Sequence, residues 1–425
     1  MKVLLHGLNY WPELIGVGKY TGEMTAWLAA RGFDLRVVTA PPYYPQWRIA
    51  AGYRGGAYSR ERIDGVDVLR CPLWVPRRKG AASRALHLLS FAASSAPVML
   101  REALAWRPDI VMGIEPTLLA APGTLAAARL CGAAAWLHVQ DFEIEAAFAT
   151  GLVGGARRGR WAASAEAMLL SRFDRVSTIS PAMCEHLARK GVTRERIALL
   201  PNWVAADAIH PLPAASPLRR ELGIPDAAIV ALYAGNMSEK QGLDTLVAAA
   251  SALGDASGVR FVFAGEGAAR DRLERASEAL GNVTFLPLQP VERLNDLLNL
   301  ADVHLLPQRA GVADLVMPSK LLGMMASARP VIAGADPRSA LGQVVSQCGV
   351  VVPPEDGAAM AEAVRALAVA PERRAALGRA GRERIVADWS RDAVLARLAS
   401  WFDEIGRSRA AAPAAPRRQV GRPAD

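Results

Sequence analysis

The sequence predicts an α/β protein of two domains, each organised on a parallel sheet. A chain of 425 residues is too long for one ordinary core. Short buried apolar runs alternate with helical patterns through both halves, which is typical of βαβ units. A proline-rich stretch, residues 205–225, separates the two series, so we place the domain boundary at its start.

The charge of the chain does not indicate a nucleic-acid partner. The formal net charge is +9, but the segment 407–425 alone holds five Arg and one Asp. That segment is mostly Ala, Pro and Arg, so we expect it to be disordered. The remaining part is only mildly basic and lacks a nucleic-acid motif, whereas anionic lipid or a phosphorylated substrate would suit its charge.

The cysteines and the N-terminus predict a cytoplasmic location. The four cysteines lie far apart, without metal-ligand spacing and among apolar neighbours, which favours buried thiols in a reducing compartment. The apolar run at the N-terminus is too short for a signal peptide, and polar residues interrupt it.

The stretch Ile229–Ala250 carries the strongest sign of function. A buried apolar run ends at Gly235, a polar loop follows, and a helical pattern begins just past Gly242. In a parallel sheet this loop lies at the carboxyl end of a strand, where ligands bind, and the helix N-terminus offers free N–H groups. Lys240 adds a positive charge. These features predict a phosphate or diphosphate site, with a merely solvated Lys240 as the alternative.

The first domain opens with a predicted strand, glycine loop, helix and strand. The strand spans Lys2–His6, the loop Leu8–Gly18, and the helix begins at about Lys19. Gly16 and Gly18 match the dinucleotide fingerprint only in part, because a third glycine and an acidic residue after the next strand are lacking. We therefore expect no nicotinamide cofactor. The loop either lets a phosphate or sugar approach the backbone or is a plain tight loop.

An irregular segment, residues 41–56, contains Tyr43, Tyr44 and Trp47. Loops of this length in compact domains are often functional. The aromatic rings could stack on a sugar ring or could only hold the loop in place, and the sequence leaves both alternatives open.

His138 ends a strand predicted at Ala133–His138, and Asp141 and Glu143 come shortly after it. Side chains at the carboxyl end of a parallel strand are well placed for acid, base or binding chemistry. A lone histidine is more often structural, but this position in the fold favours a functional role.

A basic cluster, Arg77-Arg78-Lys79, precedes an uncharged apolar run, Ala85–Leu100. The run is too short and too polar to span a bilayer. Two alternatives remain open: a helix that lies on an anionic membrane surface and a helix buried in the domain.

Several motifs together resemble a known family. The most specific are Tyr233–Met237, Lys240–Leu246 and Asp314–Leu321, joined by Pro201-Asn202 and by His138-Val139-Gln140-Asp141. With these motifs the chain resembles the family-4 retaining glycosyltransferases of GT-B fold, most of all the bacterial branch that builds colanic acid and related exopolysaccharides. The resemblance extends to about residue 405.

The resemblance implies two facing Rossmann-like domains with an interdomain cleft. Residues 1–205 would form the acceptor-side domain, 206–387 the nucleotide-sugar-binding domain, and 388–406 a helix that returns to the first domain. The implied reaction transfers a sugar with retention from a nucleotide-diphosphate donor to a glycan or polyprenyl-diphosphate-linked acceptor, in the cytoplasm or at the inner face of its membrane. No cofactor beyond the donor is implied, and no Asp-x-Asp pair at a strand end indicates a metal ion.

The resemblance also assigns roles to single residues. Lys240, with Gly235 and Asn236, would bind the donor diphosphate, and Gly16 and Gly18 would line it from the other side. His138 would contact the transferred sugar, with Asp141 nearby. Leu286 and Leu288 would flank the base. Ser319 and Lys320 would hold phosphate or sugar.

The chain departs from the family pattern at two positions. Many relatives have an arginine where this chain has Asn236. Many also have two glutamates eight positions apart. In this chain Gly323 occupies the position of the second glutamate, and Asp314 lies just outside the position of the first. A positive charge and a ribose-binding carboxylate are therefore missing, and Lys320 offers electrostatic compensation. Two alternatives to sugar transfer stay open: a GT-B nucleotide-sugar epimerase and a non-catalytic scaffold of a polysaccharide assembly complex.

Overall fold

The computed structural model describes residues 1–77, 80–115, 118–142, 156–309 and 318–411, without the side chains of residues 81, 156–162, 240 and 409–411. Its contacts divide the chain into two compact units. The first contains Met1–Thr178, His186–Leu200 and the chain from Leu395, and the second contains Ile179–Glu185 and Pro201–Val394. Each unit has its own sheet.

The first unit is built on a sheet with the strand order β3-β4-β2-β1-β5-β6-β7-β8. Its strands pair in parallel, except that β3 is antiparallel to β4. The strands are β1 (Lys2–Gly7), β2 (Asp34–Thr39), β3 (Ser59–Ile63), β4 (Val66–Arg70), β5 (Ile110–Ile114), β6 (Ala134–Val139), β7 (Arg175–Thr178) and β8 (Ile197–Leu199).

The second unit is built on a wholly parallel sheet with the order β11-β10-β9-β12-β13-β14. Its strands are β9 (Ile229–Ala234), β10 (Val259–Ala264), β11 (Val283–Leu286), β12 (Val303–Pro307), β13 (Val331–Gly334) and β14 (Gly349–Val352). Ala231 and Tyr233 of β9 pack into one apolar cluster, and Val230 and Leu232 pack into another. The sheet is therefore covered on both faces, which is why its strands are continuous apolar runs.

The helices of the described residues lie between these strands or follow the last of them. They are α1 (Gly16–Ala29), α2 (Ala81–Trp106), α3 (Ala121–Cys131), α4 (Ala156–Leu170), α5 (Pro181–Arg189), α6 (Pro217–Glu221), α7 (Asp244–Leu253), α8 (Arg270–Ala276), α9 (Leu294–Leu300), α10 (Ser319–Ala326), α11 (Ala340–Val345), α12 (Gly357–Ala368), α13 (Pro371–Arg384) and α14 (Arg391–Ala411). One π-helical turn, Ile385–Trp389, follows α13, and short 3₁₀ turns precede several helices.

Part of α14 packs into the core of the first unit. The ring of Phe402 meets that of Phe33 at 6.0 Å and that of Trp136 at 5.5 Å, both edge to face. Phe402 is fully buried. The last helix therefore covers the sheet of the first unit although most of the second unit precedes it in the chain.

The hairpin β3–β4 was not predicted. Its two strands are joined by Asp64 and Gly65, both with positive φ, and Ile63 pairs with Val66 across the turn. Asp-Gly is the residue pair that such a two-residue turn favours, so a signal was present. Strand β4 is well buried, whereas β3 lies at the sheet edge and is mostly exposed. The sequence of β3 therefore lacks the apolar run of a buried strand.

The first helix begins earlier than predicted. The loop after β1 ends at Ile15, and Gly16 is the first residue of α1 with φ +62°. Gly18 consequently lies in the first turn of the helix rather than in the loop. The prediction failed because two glycines are usual in a loop, whereas here both begin a helix.

Helix α2 is buried along one face and exposed along the other. His87, Phe91, Ser95, Met99 and Ala103 recur at every fourth position and are buried. Leucines on the opposite side are exposed. The buried side agrees with the alternative of a helix buried in the domain, and attachment of the exposed side to a membrane stays a prediction. None of the helices in the described part of the chain is long and apolar enough to cross a membrane.

Candidate active site

Glycines at the carboxyl ends of β9 and β10 allow two loops of the second unit to pack backbone against backbone. A Cβ atom on Gly265 would lie 2.1 Å from the Gly235 carbonyl oxygen, and one on Gly267 would lie 2.4 Å from the Met237 carbonyl oxygen. The Met237 N–H donates to the Glu266 carbonyl at 2.8 Å. Only glycine permits this approach, and Gly235, Gly265 and Gly267 all have positive φ.

The side chain of Lys320 lies directly over Gly235. A Cβ atom on Gly235 would be 2.9 Å from Lys320 Cε and 3.0 Å from its Nζ. Lys320 Nζ donates to the Tyr233 hydroxyl at 2.8 Å and to Gln241 Oε1 at 3.1 Å, and it lies 4.6 Å from the centre of the Tyr233 ring. The Tyr233 hydroxyl donates in turn to the Asn236 carbonyl at 2.6 Å. These bonds connect Lys320 to the β9 loop, where the sequence had placed Gly235 and Asn236.

Burial changes the acidity of this lysine. It lowers the pKa of Lys320 from 10.5 to about 8, because the charged ammonium loses water. An ammonium has three donors, and two are used by Tyr233 and Gln241. Lys320 and Ser319 occupy the first turn of α10, which contains no acidic side chain. This helix start therefore combines a cation with the positive end of a helix dipole.

The start of α7, by contrast, already contains an anion. Asp244 in its first turn is hydrogen-bonded to Arg272, which lowers the pKa of this carboxyl, and Arg272 also donates to Glu239 at 3.0 Å. Lys240 lies in the 3₁₀ turn Glu239–Gln241 just before α7. Its side chain lies outside the described set, so its diphosphate-binding role stays a prediction.

Leu286 and Leu288 differ sharply in exposure. Leu286 ends β11 and is buried, whereas Leu288 is 72% exposed. The Leu286 carbonyl accepts from the Gly265 N–H at 3.1 Å and from Arg270 Nη1 at 3.0 Å. Arg270 also donates to the Gly265 carbonyl at 2.7 Å. Arg270 was not predicted from the sequence as part of this region. It joins the ends of β10 and β11, and the available sequence signal was Glu274 four positions later, with which Arg270 forms an ion pair.

In the first unit, His138 is a buried histidine at the end of β6. It is 3% exposed, and its Nδ1 lies 2.9 Å from Ser177 Oγ, which also accepts from Trp136 Nε1 at 2.8 Å. Loss of water lowers the pKa of His138 to about 4, so the ring is neutral at pH 7. Asp141 is exposed two residues after β6. Glu143 lies outside the described residues.

Gly16 and Gly18 have different surroundings at the start of α1. Gly16 is exposed, whereas Gly18 is buried and a Cβ atom there would lie 2.8 Å from both Cβ and Oε2 of Glu13. Gly18 therefore leaves space for a buried carboxylate. Whether either glycine lines a diphosphate stays a prediction.

The predicted site residues fall in both units. His138, Asp141, Gly16 and Gly18 belong to the first unit, and the others belong to the second. Asp314 lies outside the described residues, while Gly323 is half-buried in α10. Across the ranges that the structure describes, no group of three His, Cys, Asp or Glu side chains could hold a metal ion. The shared cleft and the independence from metal both stay predictions.

Comparison with known proteins decides the family. A glycosyl transferase 4-like domain model matches residues 16–203, and a glycosyl transferases group 1 model matches residues 228–369. A protein of Escherichia coli K12 named as a colanic acid biosynthesis glycosyl transferase, WcaI, is 40% identical over 383 residues, which are 88% of this chain and 93% of that protein. The chain belongs to the family-4 glycosyltransferases. This confirms the predicted family and that the chain is a glycosyltransferase, whereas retention and the transfer of a hexose stay predictions.

Solved structures confirm the GT-B fold of this glycosyltransferase. Sucrose-phosphate synthase from Thermosynechococcus elongatus superposes with a TM-score of 0.72 at 19% identity, over 96% of this chain and 99% of that one. HepE of Anabaena, solved with UDP and glucose, superposes with a TM-score of 0.65 at 14% identity, over 95% and 100% of the two chains. At such identities the likeness concerns the fold alone. Together these matches give no support to the epimerase or the scaffold.

Proposed function

We propose that this glycosyltransferase moves a hexose from a nucleotide-diphosphate donor to a glycan or polyprenyl-diphosphate-linked acceptor, with retention of the anomeric configuration. The synthesis of an exopolysaccharide is the proposed setting, because WcaI is named for colanic acid biosynthesis and is similar along most of both chains. A nucleotide donor agrees with HepE, which shares the fold and was solved with UDP-glucose.

The placement of Lys320 is the observation that carries the proposal. Its ammonium lies over Gly235, at the carboxyl end of β9, and belongs to the first turn of α10. A cation and a helix N-terminus whose first turn has no acidic side chain form an anion site of the kind that binds phosphate. Because a departing nucleoside diphosphate gains negative charge, the same groups would stabilise the transition state.

In the proposed step, the acceptor hydroxyl oxygen attacks the anomeric carbon on the face from which the diphosphate departs. The bond from that carbon to the phosphate oxygen breaks, and the hydroxyl proton passes to the departing phosphate. Lys320 and Lys240 would hold the diphosphate, with Ser319, Gly235 and Asn236 beside it. The scheme uses no metal ion and no further cofactor.

The first-unit residues would act on the sugars. His138 is neutral at pH 7, so its role would be a hydrogen bond to the transferred sugar rather than a charge. Asp141 would accept a sugar hydroxyl nearby. Gly16 and Gly18 would bring the start of α1 close to the diphosphate, while Leu286 and the exposed Leu288 would flank the base.

Donor binding and turnover test this proposal. A nucleotide present at a hundred times its dissociation constant stabilises the fold by about 2.7 kcal/mol. We expect one of a panel of nucleoside diphosphates, with its sugar, to raise the melting temperature of the wild type, and Lys320→Met to abolish most of this rise and most of the turnover. Arg338→Ala is the matched control, since Arg338 is an exposed cation of the same unit. A Lys320→Met variant with full donor response and turnover would refute the assignment.

We also propose that α2 lies on the inner, anionic face of the cytoplasmic membrane. Leu86, Leu89, Leu100 and Leu104 are exposed on one side of the helix, at positions that share a helical face. Tyr58 and Trp74 are exposed beside α2. The Tyr58 hydroxyl donates to the Ser94 carbonyl, and the backbone N–H of Trp74 donates to Ser90 Oγ. Exposed cations that favour anionic lipid lie along the same helix and before it: Arg77, Arg84 and Arg101.

A further inference from the structure

A fully buried arginine ends β4 and has no role in the scheme above. Arg70 is 1% exposed, and its side chain has no accessible surface. The residues before it in the strand, Val66, Val68 and Leu69, are buried apolar side chains, so a charged residue is the exception here. A buried charge is costly unless it is paired and hydrogen-bonded. Residues that break a local pattern in this way are often found at functional or strained sites.

The three nitrogens of the Arg70 guanidinium donate to three different segments. Nε donates to Glu61 Oε1 of β3 at 2.6 Å, Nη1 to the Ala40 carbonyl at 2.9 Å, and Nη2 to the Trp11 carbonyl. Ala40 directly follows β2, and Trp11 lies in the loop between β1 and α1, residues 8–15. A single side chain therefore connects the edge strand to the two loops that follow β1 and β2.

Arg70 also holds the irregular segment 41–56, here called the aromatic loop, near both of its ends. The Ala40 carbonyl that it binds comes directly before this loop. Near the other end, the ring of Tyr53 lies 5.2 Å from Arg70 Cζ, and the Tyr53 hydroxyl lies 3.5 Å from Glu61 Oε2. The negative face of an aromatic ring attracts a guanidinium, so this contact adds to the hydrogen bond at Ala40.

The carboxyl group of Glu13 complements the guanidinium. Glu13 is a buried residue of the β1–α1 loop, and its Oε1 accepts the backbone N–H groups of Tyr43 and Tyr44, both at 2.9 Å. Arg70 thus binds carbonyl groups, and Glu13 binds N–H groups, at the junction of the same two loops. The β1–α1 loop and the aromatic loop are therefore fixed to each other from both sides.

Tyr10 and Trp11 extend the connection from Arg70 to helix α1. A Cβ atom on Gly22 would lie 2.0 Å from Trp11 Cδ1, so the indole rests directly on the backbone of α1. The Tyr10 ring lies 5.7 Å from Arg70 Cζ, and its hydroxyl shares a hydrogen bond of 2.7 Å with Thr25 Oγ1 of α1. The position of α1, and with it the start of the helix, therefore depends on the contacts of Arg70.

We infer that Arg70 is a positioning residue for the transfer: it holds the β1–α1 loop and the aromatic loop in the arrangement that brings the start of α1 to the donor diphosphate. The inference rests on the proposed sugar transfer, in which Gly16 and Gly18 at that helix start approach the diphosphate. Because its side chain has no accessible surface, Arg70 acts on the reaction only through the segments that it holds.

Arg70→Met and Arg70→Lys test this role. Methionine removes the donors, whereas lysine keeps the charge but has one nitrogen for three acceptors. Release of nucleoside diphosphate is measured with UDP-glucose, UDP-galactose, GDP-mannose and GDP-fucose, with water as the acceptor. We expect kcat to fall about tenfold to hundredfold in Arg70→Met and less in Arg70→Lys, because misplaced groups slow the chemical step. The donor KM should change no more than about threefold, since Lys320 still binds the donor.

Arg36→Met is the matched control. Arg36 is a part-buried arginine near the amino end of β2, away from the two loops; its Nη1 donates to Glu102 at 2.5 Å, and its Cζ lies 4.6 Å from the Trp106 ring. We expect Arg36→Met to lower the melting temperature and to leave kcat unchanged. Residues 20–22 donate to the first turn of α1, so their amide exchange should become faster in the Arg70 variants and not in Arg36→Met.

Each outcome decides the inference. Equal kcat values in Arg70→Met and Arg36→Met would overturn it and leave the proposed transfer standing, as would a loss of activity that lies wholly in KM. If Arg70→Met does not fold, Arg70→Lys takes its place, and a wild-type kcat with wild-type exchange in α1 rejects the positioning role. If the wild type releases nucleoside diphosphate from none of the four donors, the transfer itself is rejected, and the inference with it.

Discussion

The ammonium nitrogen of Lys320 lies 3.0 Å from the position that a Cβ atom would occupy on Gly235. The lysine therefore occupies the space that the missing side chain leaves, and its hydrogen bonds to Tyr233 and Gln241 hold it there. The two residues are 85 positions apart in the chain, and together they form the anion site proposed for the second unit.

This contact predicts the effect of Gly235→Ala. The new methyl group would displace Lys320, and φ +144° would strain any side chain, so we expect donor affinity to fall about tenfold or more and stability to fall by about 1–3 kcal/mol. Gly258→Ala is the control, because Gly258 has φ +69° and nothing within 4 Å of its Cβ position. Calorimetric titration with the donor and denaturant unfolding would measure both effects. A donor affinity equal to that of the Gly258→Ala variant would contradict the prediction.

The pKa of Lys320 predicts a pH dependence of donor binding. With a pKa of about 8, the lysine is charged at pH 7 and mostly neutral at pH 9, so the affinity for a diphosphate should fall about tenfold over that interval. Calorimetric titration with the donor at pH 7, 8 and 9 measures the fall. In Lys320→Met the fall should be absent, and an unchanged pH profile in this variant would show that another group is responsible.

The same pKa also affects stability. The folded value of about 8 lies below the ordinary 10.5, so between these pH values the unfolded chain binds more protons at this position. The burial of charged Lys320 therefore destabilises the fold below pH 8, and this destabilisation decreases as pH rises from 8 towards 10.5. Denaturant unfolding of the wild type and Lys320→Met should give a difference in free energy of unfolding that shrinks across that window. A constant difference would contradict the lowered pKa.

Exposed leucines of α2 predict membrane attachment. Leu89→Gln combined with Leu100→Gln removes two exposed apolar side chains, and we expect partitioning onto phosphatidylglycerol vesicles to weaken about tenfold. Added salt should weaken the binding of the wild type as well, because anionic lipid attracts the arginines. Val369→Gln serves as the control, since Val369 is more exposed than either leucine and belongs to the other unit. Equal sedimentation of all three proteins with vesicles would exclude this surface.

Glu13 predicts how firmly the aromatic loop is held. Glu13→Gln replaces one carboxylate oxygen by an NH₂ group, which cannot accept a hydrogen bond. This group would face a donor in either orientation of the amide: the N–H groups of Tyr43 and Tyr44 or the amide of Asn9. We expect a loss of about 1–3 kcal/mol in the free energy of unfolding, together with faster amide exchange at Tyr43 and Tyr44. Glu278→Gln, at an exposed position, should change stability by no more than about 0.5 kcal/mol. Similar exchange rates in both variants would argue against the anchoring role.

Several strands could be predicted from the sequence. The strands predicted at Lys2–His6 and Ala133–His138 agree with β1 and β6 to within one residue at each end, because both are short buried runs. The edge hairpin β3–β4 was missed, since an edge strand is exposed and has no such run. The start of α1 was misplaced because a glycine-rich pattern does not distinguish a loop from a helix start.

The sequence by itself determined the alternation of strands and helices, the family, and the positions of His138, Gly235 and Lys320 near strand ends or helix starts. These depend on local patterns of apolar residues and glycines, which a single chain displays directly. Only the tertiary structure decided that His138 is neutral beside Ser177, that Lys320 lies over Gly235, and that Glu13 fixes the loop of Tyr43. Each of these contacts joins residues at least 30 positions apart, and its electrostatic effect depends on how much water the surrounding packing removes.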